Sequence, residues 1–200
     1  MQVEPVVLEG ERVRLEPMRR EHLPALAEAG RYDELWKWTS AMANTDAAMA
    51  EYMEAALADA EALTSLPFVT IDKPSAAIIG STRFGNIDPA NRRAEIGWTW
   101  ISPQFQRTYV NSEAKYLMLR HAFDVWDCVR VELKTDVLNE KSRAAMRRLG
   151  AVEEGVLRRH IITHSGRFRD TIYYSILDHE WPAVRAQLEA RLRTASPTRG

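Results

Sequence analysis

The stretch from residue 94 to residue 125 is where residue types and spacing first suggest chemistry. A loop, SPQFQRTYVN, runs into an amphipathic helix predicted from about Ser112 to Val125. In it Ala114, Leu117, Met118, His121, Ala122 and Val125 recur at three- and four-residue spacing. A helix start leaves backbone N–H groups without partners, and the helix dipole adds positive potential. A loop feeding such a start can therefore seat an anion, pyrophosphate among them. Asn111 and Ser112 have a second reading there, as plain helix caps. Further on, Lys141, Arg143, Arg147, Arg148, Arg158, Arg159, Arg167 and Arg169 face only Glu153 and Glu154. That cluster suits a phosphorylated cofactor, a nucleic acid or bulk solvent. The histidines, His22, His121, His160, His164 and His179, are scattered without ligand spacing, so no metal site is expected. Cys128, the single cysteine, lies beside Val129 and reads as buried filler.

The elements that must position these groups follow from periodicity. RVRLEP at 12–17 alternates as a half-buried strand, and REHLPALAEAG at 20–30 reads as a short helix with Pro24 in its first turn and Gly30 as its stop. Thr45 or Asp46 caps a helix reaching about Ala60, striped by Met49, Tyr52, Met53, Ala56 and Leu57. Strands are expected at Pro67–Asp72, Ala77–Phe84 and Arg93–Ile101. In the last of these Ala94, Ile96, Trp98 and Trp100 fall on one face, and Glu95, Gly97, Thr99 and Ile101 on the other. CVRVELKTD makes a further strand, leading to a helix with Asn139 as N-cap and Gly150 as C-cap. Two strands around Val152–His160 and Arg169–Leu177 turn at Ser165-Gly166, and a last helix runs from near Asp178 to Arg193.

This order describes one mixed α/β domain over residues 1–193, with a loose tail at 194–200 and no repeated βαβ unit or GxGxxG turn. The chain has 200 residues, 46% hydrophobic and 28% charged. At this size folding hides roughly 70% of the extended chain's surface, so no disulfide or metal staple is required. The net charge of −1 conceals an asymmetry. Residues 1–100 carry 10 Lys and Arg against 16 Asp and Glu, a net of −6, whereas residues 101–200 carry 17 against 12, a net of +5. No apolar run approaches the roughly 20 residues of a membrane span, and the first residues lack a signal-peptide pattern. A cytoplasmic protein without membrane partners is the simplest expectation.

The succession EIGWTWI, PQFQRTYVNSEAKYLMLRHAF, VELKTDVLNEKSRAAMRRLGA, then EGVLRRH with GRFRDTIYYSIL, resembles the GNAT acyltransferase superfamily. It is especially similar to the ribosomal-protein N-terminal acetyltransferase branch, and the resemblance covers about residues 10–181. It implies a single, strongly twisted mixed sheet with splayed central strands flanked by helices. It also implies acetyl-coenzyme A as co-substrate, its pyrophosphate at the pattern Q/R-x-x-G-x-G/A, which maps to Gln106-Arg107-Thr108-Tyr109-Val110-Asn111. Tyr109 stands where the first glycine is usual and Asn111 where the second small residue is usual. Main-chain partners for the pantetheine arm are implied near Trp98–Ile101, with Trp100 or Ile101 stabilising the thioester oxygen, and near Leu133–Asp136. Asn139 lies beside that arm, and Arg143 approaches phosphate or faces water.

The resemblance further implies that Ser142 protonates the departing thiolate and that Glu95 accepts the amine proton, through a water. A half-buried Glu95 suits that work, and its alternative is a rim salt bridge to Arg93 or Arg83. Trp36, Trp38 and Trp98 are candidate walls of the acceptor pocket, with Trp36 and Trp38 equally readable as core. Asp33 and Glu34 either draw a cationic amine or form an acidic helix end. The expected activity is acetyl transfer to a primary amine of a protein N-terminus or small molecule, by direct attack in a ternary complex. The alternatives are a non-catalytic acyl-coenzyme-A-binding protein of the same fold and, further off, an RNA-binding protein. Both homodimer and monomer stay open.

Overall fold

The computed structural model describes residues 1–194. Of the tail, Thr194 ends the last helix, and residues 195–200 lie outside the described residues. Eight strands form one sheet: β1 (Leu8–Glu9), β2 (Val13–Pro17), β3 (Leu66–Asp72), β4 (Ala77–Asp88), β5 (Arg93–Ile101), β6 (Arg130–Asp136), β7 (Val152–Ile162) and β8 (Phe168–Leu177). Their spatial order is β1-β2-β3-β4-β5-β6-β8-β7. Every adjacent pair is antiparallel except β5 and β6, which run parallel. The helices are α1 (Leu23–Gly30), α2 (Asp46–Glu61), α3 (Val110–Arg120), α4 (Glu140–Leu149) and α5 (Trp181–Thr194). This is the GNAT-like α/β architecture expected from the sequence.

Local chemistry explains most boundaries. Thr45 caps α2 by accepting from the Ala48 amide, and Asn139 caps α4 by accepting from the Ser142 amide. Gly150 closes α4 at φ 92°, the left-handed conformation that favours glycine. Three boundaries differ from expectation. β4 continues to Asp88, leaving only residues 89–92 for the turn. α3 begins at Val110, so neither Asn111 nor Ser112 is its cap; Tyr109 holds that position without a side-chain cap bond. After Arg120 the helix widens into a π-turn over His121–Val125, with Trp126 N donating to the His121 carbonyl.

Two apolar cores form, one on each face. Ile79, Phe84, Ala94, Ile96, Ile101, Val131, Leu133, Ile172, Tyr174 and Ile176 pack with α3, α4 and α5. On the other face, α1 and α2 enclose Trp36, Met49, Met53, Val69 and Trp100. That second cover stops near β5, so the β6–β8 part of the same face carries polar and charged groups: Glu132, Lys134 and Asp136 on β6, Arg169 and Tyr173 on β8.

The expected alternation along β5 breaks at Trp98. Its φ is 48°, and the pairing slips so that Ser81 faces Trp100 while Arg83 faces Gly97. This β-bulge reverses which residues share a face. Ala94, Ile96, Thr99 and Ile101 look toward α3, whereas Glu95 and Trp100 look the other way. The expectation that Trp98 and Trp100 lie across the strand from Glu95 is therefore corrected, since the Trp98 ring also stands on the Glu95 side, near Lys134. Gly85 accommodates the bulge, because a Cβ there would meet the Trp98 ring at 2.3 Å.

Candidate active site

Parallel pairing between β5 and β6 is short. It joins Arg93 to Arg130, Ala94 to Val131 and Glu95 to Glu132, and then ends. Beyond Glu95 and Glu132 the strands part, so Ile96–Ile101 and Leu133–Asp136 bound a V with unpaired main-chain edges. The C-terminal ends of these two strands lead, through loops, to the starts of α3 and α4.

The loop before α3 is shaped by its own side chains. Gln106 Nε2 donates to the Ile101 carbonyl at 2.9 Å, and Thr108 Oγ1 donates to the Phe105 carbonyl at 2.7 Å. Arg107 takes φ 62°, turning the chain sharply before the helix. The Val110 amide donates to Thr108 Oγ1, and the Glu113 amide to the Tyr109 carbonyl. The amides of Arg107, Thr108, Tyr109, Asn111 and Ser112 have no acceptor among the described residues. An array of free N–H groups at a helix start favours a diphosphate.

Tyr109 is tied elsewhere. Its hydroxyl donates to Asp72 on β3, and the Arg12 guanidinium stacks 4.0 Å from its ring centre. Burial, reinforced by Asp72, pushes its phenol up to about 12. The ring thus serves as an anchor between α3 and the β2–β3 end of the sheet. Glu113 does similar work: buried, it accepts from the amides of Arg12 and Val13 at the start of β2.

On the opposite face, Glu95 is 2% exposed, deeper than the half-buried position expected, and neither Arg93 nor Arg83 is its partner. Lys134 on β6 reaches across the vertex of the V to Glu95 Oε2 at 2.8 Å, and Asn86 Nδ2 donates to the same oxygen at 2.7 Å. Gly97 leaves the space that Glu95 Oε1 occupies, since a Cβ there would stand 2.9 Å from that oxygen. Lys134 sits between the rings of Trp98 and Tyr173, at 5.8 and 5.7 Å from their centres. Arg83 covers Trp98 from its other neighbourhood, 5.1 Å from the ring centre.

The remaining sequence candidates divide. Trp98 is 38% exposed beside Glu95, and Trp38 is half-buried near Arg167. Trp36 is 1% exposed, donates to the Gly30 carbonyl and packs on Trp100, so it is core and not a pocket wall. Asp33 and Glu34 are exposed in a single turn of 3-10 helix, where Asp33 accepts from Asn44. Ser142 is half-buried in the first turn of α4; the cap bond uses its amide, and its hydroxyl has no partner among the described residues. Arg143 pairs with Glu140 at 2.6 Å and donates to the Val137 carbonyl. The basic cluster is compensated in part, Arg143 by Glu140, Arg147 by Glu153 and Arg167 by Asp136. No group of three or more metal-ligating side chains occurs among the described residues, and no helix among them is long and apolar enough to cross a membrane. Cys128 is buried, and desolvation pushes its thiol up to about 12.

Sequence reasoning missed Lys134, Asn86 and Lys115. Lys115 projects from α3 toward the bulge, with Nζ 2.6 Å from Thr99 Oγ1 and 3.1 Å from Thr82 Oγ1. Full burial with no carboxylate against it depresses its amine to about 7. The opposite charges of Glu95 and Lys134 on neighbouring strands were the available signal for the first pair. Nothing in the alternating pattern marked the bulge.

Comparison with known proteins agrees with this geometry. Residues 12–152 match the family model for the acetyltransferase (GNAT) domain. A GCN5-related N-acetyltransferase from Brucella melitensis superposes with a TM-score of 0.89 at 32% identity, covering 98% of this chain and 87% of that one. RimJ of Mycobacterium smegmatis, solved in complex with CoA-disulfide, superposes with a TM-score of 0.77 at 25% identity, covering 90% and 88%. YdaF of Bacillus subtilis (strain 168), provisionally named a ribosomal N-acetyltransferase, is 36% identical over 105 residues. That match spans 52% of this chain and about 56% of YdaF's length. The family match over most of the chain, with the parted strands and the free amides at their mouth, places this protein in the GNAT acetyltransferase family.

Proposed function

We propose that the protein transfers an acetyl group from acetyl-coenzyme A to a primary amine, by direct attack while both substrates are bound. The observation that carries this reading is the parting of β5 and β6 immediately after Glu95 and Glu132, with free amides at the start of α3. The free amides of Arg107, Thr108, Tyr109, Asn111 and Ser112, with Gln106 shaping the loop, would hold the pyrophosphate. The open edges near Trp100, Ile101 and Leu133–Asp136 would pair with the pantetheine amides, beside Asn139. When bound, the co-substrate supplies an activated acyl carbon and a thiolate leaving group. Val110 backs the amide array from the core, and Arg143, held by Glu140, borders the α4 side.

The chain must then provide an amine seat, an oxyanion partner and a proton source. Glu95 is the carboxylate for the amine, flanked by Trp98, with Trp38 farther out. Ser142 is the proton source, since its hydroxyl is uncommitted. Holding amine and thioester together is itself a large part of the rate. The acceptor is a protein N-terminal amine or a small amine, and the name of YdaF favours testing ribosomal proteins among the former.

The experiment is a calorimetric titration with acetyl-coenzyme A followed by a thioester-consumption screen of amines and peptides, with product mass detection. Saturable binding and a +42 Da product are expected. Ser142→Ala should lower turnover about ten-fold or more with little change in coenzyme affinity. Binding without transfer to any amine would leave the non-catalytic reading.

A further inference from the structure

Lys134 places a primary amine where the acceptor's amine is expected. It is the first side chain on its face of β6 beyond the last β5–β6 pair, so it stands at the vertex of the V. Its ammonium contacts Glu95 at 2.8 Å, lies between the Trp98 and Tyr173 rings, and its side chain keeps 18% of its exposure. The other four lysines are differently placed. Lys37, Lys73 and Lys141 are exposed, Lys141 on the first turn of α4, and Lys115 is enclosed on the α3 side by Thr82 and Thr99.

We infer that Lys134 is an internal acetyl acceptor, so that the protein acetylates its own Lys134 when no external amine fills the seat beside Glu95. The inference rests on the proposed acetyltransferase reading. Glu95 takes one proton from the Lys134 ammonium, and the freed nitrogen lone pair attacks the thioester carbonyl carbon. The carbon–sulfur bond breaks, and the sulfur leaves with its electron pair, taking a proton from the Ser142 hydroxyl, which recovers the second nitrogen-bound proton, so that the sulfur becomes the thiol. The proton on Glu95 passes to solvent. One acetyl-coenzyme A and one lysine ammonium thus give one N-acetyl-lysine, one coenzyme A thiol and one proton. The product amide carries no charge, so the ion pair with Glu95 is lost and the carboxylate is free to receive the ammonium of another amine.

The full chain is incubated with isotopically labelled acetyl-coenzyme A alone, and the label is located by intact mass and peptide mapping. The expected result is one acetyl group, on Lys134. Its rate should be unchanged by ten-fold dilution of the protein and at least ten-fold faster than at Lys37, Lys73 or Lys141. Lys134→Arg, which keeps a cation beside Glu95, should remove it, and Glu95→Gln should slow it at least ten-fold. Label spread over the exposed lysines, label on Lys115, or no label on a protein that acetylates external amines would each overturn the inference and leave the acetyltransferase reading standing. Absence of acetyl-coenzyme A binding by calorimetry would overturn both.

Discussion

The two sides of the β5 bulge bury ionisable groups by different means. On the α3 side hydroxyls and backbone amides predominate: Lys115 meets Thr82 and Thr99, Asp72 meets Tyr109 and Ser75, and Glu113 meets the Arg12 and Val13 amides, with the Arg12 guanidinium 3.7 Å from its second oxygen. On the acceptor side the partners are opposite charges, Glu95 with Lys134 and Asp136 with Arg167. Paired charges exchange for other charges with little loss, because a ligand ammonium replaces what it displaces. An amine lodged between two hydroxyls has no such exchange and is better suited to holding one backbone shape. The side proposed to admit a charged substrate is thus built on ion pairs, and the side that holds the bulge relies mainly on neutral partners.

Breaking an ion pair on the acceptor side should have the largest effect. Lys134→Met leaves Glu95 buried without its counter-charge and should cost about 3 kcal/mol of stability at neutral pH. The double variant Glu95→Gln, Lys134→Met should recover most of that loss, since no uncompensated charge remains. Urea unfolding at pH 8 checks both statements, and equal losses in single and double variants would show that the pairing carries no weight.

On the α3 side, Lys115→Met tests the opposite device. Burial lowers the Lys115 amine to about 7 in the folded chain, against an ordinary value of 10.5 when unfolded. Between those values the unfolded state binds more protons, so the wild-type protein gains stability with rising pH. Raising the pH from 7.5 to 9.5 should add about 2 kcal/mol from this group alone. Methionine removes that dependence, so the variant should compare best with wild type near pH 7 and lose its relative advantage toward pH 9.5. Parallel unfolding profiles for the two proteins would mean that Lys115 is not titrating in this window.

The fold was legible in the chain because its signals are local. Thr45, Pro24, Asn139 and Gly150 act on their own helices, and the β7–β8 turn at Gly166 follows from a residue that accepts φ 77°. The bulge at Trp98 was not legible. It depends on Gly85 from β4, 13 positions away in sequence, and on hydroxyls of Thr82 and Thr99 meeting a lysine from another element. One inserted parity change moved Trp100 to the Glu95 side. The candidate site was readable where it is a continuous segment, Gln106 to Asn111, and unreadable where it needs register. Lys134 becomes a partner of Glu95 only once β5 and β6 are aligned in parallel. Tyr109 was readable as a departure from glycine, but its purpose was not, because Asp72 and Arg12 come from distant strands.

Tyr109 supplies the smallest of the three effects, and it separates anchoring from obstruction. Tyr109→Phe deletes one hydrogen bond to a buried Asp72 that still accepts from the Ser75 amide and hydroxyl, so the expected loss is about 1 kcal/mol. Tyr109→Gly removes the ring as well, along with its stacking under Arg12, and restores the glycine usual at this position of the family pattern. An obstructing ring predicts tighter acetyl-coenzyme A binding in the glycine variant. The observed contacts predict the reverse: affinity equal to or weaker than wild type, with a lower melting temperature, because the start of α3 loses its tie to β3. Calorimetric affinity and thermal unfolding, measured together on both variants, decide between the two. A tighter-binding Tyr109→Gly would show that the α3 side, too, gives way to its ligand, and the contrast between the two sides of the bulge would no longer hold.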